Sequence, residues 1–254
     1  YEVPTPEVLG IPESFVKLTN RKRGLILVTG TAGSGKSTTL ASLIDVIAER
    51  DYKNIVTIED SIEYLHSQKK SIVSQREVGL DIENYATGIR SALRQDADVI
   101  MVGELQDVDT ISMALSAVET GHLVLSTLYT ASTADAVKRM IEVFPPHQQQ
   151  QIRVQLSMLL QTVVSQQLVP AVDGGVVPVF EIMHVNPAIR NLIRESKSHQ
   201  IETIIGMSAG EGMVTMDNSL FALYQAGRIT AETALNHSLH PDLMEKRLRQ
   251  PKGR

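Results

Sequence analysis

Cysteine and tryptophan are both absent from the 254 residues, and aromatic residues make up only 4% of the chain. Without cysteine there is no disulfide, no thiolate zinc site and no cysteine nucleophile, which suits a reducing compartment. The seven histidines carry no metal-ligand spacing backed by a second ligand pair. No apolar run approaches the roughly 18 residues that mark a transmembrane helix, so the chain is expected not to span a membrane. A surplus of positive charge is missing as well. With 24 Lys and Arg against 29 Asp and Glu, the formal net charge is −5, which gives no global attraction to nucleic acid or to an acidic membrane surface. What remains is 43% hydrophobic and 21% charged, an ordinary globular composition with enough length to bury a large core.

The most informative stretch is Gly30-Thr31-Ala32-Gly33-Ser34-Gly35-Lys36-Ser37, followed by Thr38, which matches the phosphate-binding pattern G-x-x-x-x-G-K-[ST] at every fixed position. Its context fits. Leu25 to Thr29 is a short apolar run of buried-strand type, and Leu40, Leu43, Ile44 and Ile47 recur at helical spacing. Glycines let the backbone wrap close to phosphate oxygens, so that loop amides and a helix N-terminus face the anion. Lys36 is then expected to reach the β- and γ-phosphates of ATP, and Ser37 to ligate Mg²⁺.

From Gly24 onward, apolar runs alternate with amphipathic stretches, the pattern of an α/β fold with a largely parallel sheet. Strands are expected at 54–58, 71–78, 99–102 and 122–127, and helices at 85–95, 110–120 (capped by Asp109) and from Thr133 to about Val143. A helix running through Ile152, Leu156, Leu159, Leu160 and Val163 then leads to two strands, 168–172 and 176–185, around Asp173-Gly174-Gly175. Beyond Asn186 the pattern is helical. The expected organisation is therefore a linker over 1–23, an ATPase domain over 24–184 and a C-terminal helical subdomain over 185–254.

Ligands of parallel sheets collect at the carboxyl ends of the strands. Besides the glycine loop, such ends carry Glu59, Asp60 and Glu63, then Gly103-Glu104, then Thr127 to Thr130. Hydrolysis of a phosphoanhydride needs a group that orients or deprotonates water, and Glu104 is the first candidate. Asp60 is a candidate Mg²⁺ ligand or a turn cap; Glu59 and Glu63 are catalytic candidates or a solvated strand end. Arg90 and Arg94 lie one helical turn apart and either reach phosphates, including a neighbouring subunit's, or stand on the surface. His122 either senses the γ-phosphate or hydrogen-bonds inside the core.

Four segments together resemble the secretion ATPase superfamily of type II secretion and type IV pili: the glycine loop with Thr38-Thr39-Leu40; Thr57-Ile58-Glu59-Asp60-Ser61-Ile62-Glu63; Ser91-Ala92-Leu93-Arg94 through Gly103-Glu104; and Thr120-Gly121-His122-Leu123. They look like its Walker A motif, Asp box, atypical Walker B motif and His box. Val73 to Gly79 and Ala188 to Glu195 are similar to its pilus-retraction branch, as is the lack of the tetracysteine zinc motif usual in assembly-type relatives. The resemblance implies a RecA-like P-loop ATPase core and a hexameric, Mg²⁺- and ATP-dependent motor for pilin filament disassembly. It also implies a cytoplasmic site at the inner face of the membrane, on a platform protein of the pilus machine, and a PAS-like N-terminal domain that this sequence does not include.

Two departures stand out: Tyr129 replaces a second histidine usual in the family, and Gln106 replaces a common arginine. A weakly hydrolysing scaffold paralogue is therefore a second reading. A RecA-like nucleic-acid translocase is a third, against which the acidic balance and the lack of an aromatic-basic groove weigh.

Overall fold

A computed structural model describes residues 2–249; Tyr1 of the expected linker and residues 250–254 of the expected helical subdomain lie outside the described residues. A short helix α1 (Glu13–Val16) and a 3-10 turn (Lys17–Asn20) precede β1 (Gly24–Thr29) and α2 (Lys36–Arg50). Next come β2 (Asn54–Glu59), β3 (Ile72–Glu77), α3 (Tyr85–Arg94), β4 (Val99–Val102), α4 (Val108–Glu119) and β5 (Leu123–Leu128). After α5 (Thr133–Glu142) and α6 (Pro146–Leu159), the chain forms the hairpin of β6 (Leu160–Pro170) and β7 (Val176–His184). Five helices follow: α7 (Pro187–Arg194), α8 (Ile201–Met207), α9 (Met216–Gln225), α10 (Ala231–His237) and α11 (Pro241–Leu248).

The strands form one seven-stranded sheet in the order β3-β2-β4-β5-β1-β6-β7. All neighbours run parallel except β6 and β7, which are antiparallel. β1 and β5 are buried at every position, as expected for central strands covered on both faces. In β1, Leu25 and Leu27 join the core beneath α3 to α7, whereas Ile26 and Val28 join the core against α2 and the N-terminal segment. That segment is packed: Phe15 is fully buried in the second core. A third, smaller core joins Val169, Val177 and Val179 at the hairpin to Met216, Leu220, Ala234 and Met244 of α9 to α11.

Two expectations need correction. Leu160 and Val163 belong to strand β6, where they pair with Leu25 and Leu27, and not to the preceding helix. Leu156, Leu159, Leu160 and Val163 fit helical spacing, but the β-branched run Thr162-Val163-Val164 favours an extended backbone, and ladder pairing with β1 decides it. The cap of α4 is Asp107, whose carboxylate accepts from the Thr110 amide at 2.8 Å; Asp109 lies inside the helix.

Segment 187–194 forms α7, capped by Asn186, whose side chain accepts from the Ile189 amide. Its stripe of Ile189, Leu192 and Ile193 is buried in the chain's own first core. Arg190 donates to the Ser157 and Met158 carbonyls at the end of α6, at 2.9 and 3.2 Å. This helix therefore docks on the sheet domain.

Candidate functional site

Because the six parallel strands end together, the loop after β1 faces the loops after β2, β4 and β5 across a cleft of about 530 Å³. Ala32, Gly33, Gly35, Lys36, Ser37 and Thr38 line one wall. Gly35 begins α2 in the left-handed region (φ 86°), and a Cβ there would stand 2.9 Å from the Gln166 amide nitrogen, so only glycine fits. Gln166, buried on β6, in turn accepts from Thr39 Oγ1 at 2.8 Å and backs the loop from beneath. A Cβ on Gly30 would strike the Gln166 carbonyl and Ser34. The Ser34 hydroxyl is buried without a partner, whereas Thr31 and Ser37 are exposed.

Lys36 is only 6% exposed; its ammonium donates to the Thr31 carbonyl at 2.8 Å and lies 4.1 Å from the centre of the Tyr129 ring. Burial pulls its pKa down and the nearby Glu104 carboxylate works against that.

The facing wall is acidic, with Glu59, Asp60 and Glu63 after β2 and Glu104 after β4. Glu59 is half-buried and accepts from Thr57 Oγ1 at 2.6 Å and from Gln75 Nε2 at 3.1 Å. Burial pushes its pKa up against those two hydrogen bonds. Gly103 explains itself sterically: a Cβ would sit 3.0 Å from the Tyr85 hydroxyl and 3.3 Å from the Ile58 carbonyl. Burial, then the charges of Glu104 and Asp60, raise the Tyr85 phenol and keep it a neutral donor.

Mg²⁺ fits this donor set in one way. Exposed Ser37 and the carboxylates are hard oxygen ligands, yet no group of three or more His, Cys, Asp or Glu able to hold a metal exists among the described residues. Such a site suits an ion that takes its remaining ligands from phosphate and water.

The other predicted residues lie elsewhere. Arg90 and Arg94 are exposed on α3, with Arg90 in a separate hollow beside Asn84 and Asp109. His122 precedes β5, at the end of the sheet away from the glycine loop and about 20 Å from it at strand rise. Its ring Nδ1 bonds the Ala117 carbonyl at 2.8 Å and closes the turn after α4. Within one chain none of the three lines the cleft. Gln106 is exposed outside it, and Tyr129 lines it.

The family model described as "Type II/IV secretion system protein" matches residues 11–176. The chain belongs to this family. The type IV pilus retraction ATPase PilT of Pseudomonas aeruginosa is 46% identical over 95% of the chain and 70% of its own length. A twitching motility protein of Neisseria gonorrhoeae is 46% identical over 94% of the chain and 64% of its own length. The crystal structure of the pilus retraction motor PilT with bound ADP superposes with a TM-score of 0.91 at 48% identity, covering 96% of this chain and 70% of that one. The chain thus spans about two thirds of the length of these relatives.

In this family member several cleft residues carry no local sequence signal. Tyr64 bonds Thr38 Oγ1 at 3.1 Å, and His66, pushed down in pKa by burial, closes the same end of the cleft. Tyr85 reaches the cleft from the start of α3, where its hydroxyl crowds the position a Cβ on Gly103 would take.

Proposed function

We propose that the protein is a hexameric, ATP-hydrolysing motor that powers type IV pilus retraction, held to the inner-membrane platform of the pilus machine on its cytoplasmic side. The observation that carries the reading is the opposition, across one cleft, of a glycine loop with its lysine and Glu104. The relatives' names supply the mechanical output.

In this mechanism the amides of 30–37 and the N-terminus of α2 hold the β- and γ-phosphates. Lys36 leaves Thr31 and moves onto them. Ser37 and Asp60 would hold Mg²⁺, which would neutralise phosphate charge. Glu104 orients water for in-line attack, while Glu59, fixed by hydrogen bonds from Thr57 and Gln75, and the neutral Tyr85 phenol line the same cleft. Arg90 and Arg94, out of reach of their own cleft, serve a neighbouring subunit's nucleotide, and His122 closes the turn after α4. No helix among the described residues is long and apolar enough to cross a membrane.

The test is genetic. Replacing the gene by its Glu104→Gln form in the producing cell is expected to abolish twitching and leave cells with excess pili. Normal twitching in that strain overturns the reading.

A further inference from the structure

The residue that departs from the family pattern, Tyr129, sits on the catalytic lysine. Lys36 Nζ lies 4.1 Å from the ring centre, within the range of a cation–π contact, and its other partner is the Thr31 carbonyl at 2.8 Å. Thr31 belongs to the phosphate loop itself, so the ammonium is folded back over the loop with its charge shared between a carbonyl and an aromatic face. Tyr129 is 60% exposed while Lys36 is only 6% exposed, so the ring acts as the lid over the lysine. The backbone beside the ring is fixed. The amide of the next residue, Thr130, donates to Thr29 Oγ1 at 3.0 Å, and Thr29 Oγ1 donates to the Thr130 carbonyl at 2.8 Å, pinning the end of β5 to the end of β1 just before the loop.

We propose that Tyr129 is a positioning residue that parks Lys36 away from the phosphate position, so that nucleotide must displace the ring's hold on the ammonium in order to bind. The inference rests on the nucleotide reading of the cleft and adds to it a cause for weaker affinity. A histidine at this position has a smaller ring with polar edges, and it offers the ammonium a poorer face when neutral and repulsion when charged. Parking costs affinity without removing a catalytic group, because the lysine is released once phosphates take over its charge.

The experiment measures ADP and ATP binding to the full chain by titration calorimetry, for the wild type, Tyr129→Leu, Tyr129→Phe and Lys36→Ala. Tyr129→Leu removes the aromatic face and is expected to tighten ADP binding about fivefold, the size of a modest cation–π contact. Tyr129→Phe, which keeps the face, restores wild-type affinity. In a Lys36→Ala background, Tyr129→Leu is expected to have no effect, because the partner is gone. A second readout is direct: the Lys36 ε-methylene protons should be shifted upfield by the ring in nucleotide-free protein, and ADP or Tyr129→Leu should remove that shift. Unchanged or weaker ADP binding by Tyr129→Leu, or an effect that persists without Lys36, overturns the parking role while leaving the nucleotide site intact. A wild-type protein that binds neither ADP nor ATP overturns the nucleotide reading itself.

Discussion

Glu181 offers the sharpest energetic test of how the nucleotide end of the sheet is joined to the C-terminal helices. It lies on β7, only 2% exposed, and its two oxygens accept from three donors: the Thr133 amide at 2.8 Å, the Thr133 hydroxyl at 2.7 Å and the Met216 amide at 3.2 Å. Thr133 opens α5 and Met216 opens α9, so one carboxylate faces two helix N-termini. Both donors' residues are fully buried. Glu181→Ala therefore strands two amides and a hydroxyl, and with a water reaching one of them the loss comes to about 4 kcal/mol. For a chain of this size that corresponds to a fall of roughly 10 °C in Tm.

The pH dependence has a definite sign. Burial raises the Glu181 pKa above its ordinary value, against the three hydrogen bonds. The folded state then holds the proton to higher pH than the unfolded state does, so this group's contribution is fully present below the unfolded pKa and declines as pH rises through the folded one. Glu181→Gln cannot titrate. The stability of the wild type relative to Glu181→Gln, from urea unfolding across pH 4 to 8, should therefore be greatest at the acid end and shrink upward. A loss below about 1 kcal/mol for Glu181→Ala, or a wild-type advantage that grows with pH, refutes the role assigned to this carboxylate.

Two further predictions concern the cleft and the docking of α7 at the opposite end of the sheet. Gly103→Ala places a methyl group against the Tyr85 hydroxyl and the Ile58 carbonyl and pushes Glu104 out of line; stopped-assay kinetics should show turnover reduced about 100-fold with ADP affinity kept. Arg190→Ala removes both hydrogen bonds to the end of α6 and should lower stability by about 2 kcal/mol in denaturant titrations, with nucleotide binding unaffected.

The parts of the fold legible in the sequence were those written locally. The glycine loop is fixed by spacing, β1, β2 and β4 by short apolar runs, and the acidic strand ends by their abrupt polarity. β6 was not legible because Leu159 to Val164 satisfies two periods at once, and only its partner β1 chooses between them. Asp107 and Asp109 are equally good caps on paper; the Thr110 amide, at 2.8 Å from Asp107, selects one. The support behind the site was illegible for a different reason: Gln166, Tyr64 and Tyr85 reach the loop or the cleft from β6, the loop after β2 and the start of α3, and no local pattern links them. His122 shows the opposite case, a conspicuous residue beside a glycine that the parallel sheet carries to its far end.

The central claim is that Lys36 and Glu104 face one another across a cleft that hydrolyses ATP. Phosphate release from MgATP by the protein, measured beside Lys36→Ala and Glu104→Gln under one condition, tests it most directly. The account predicts steady turnover for the wild type and a fall of at least about 100-fold for each variant, with Glu104→Gln still binding ATP. Wild-type release indistinguishable from that of Lys36→Ala would contradict it.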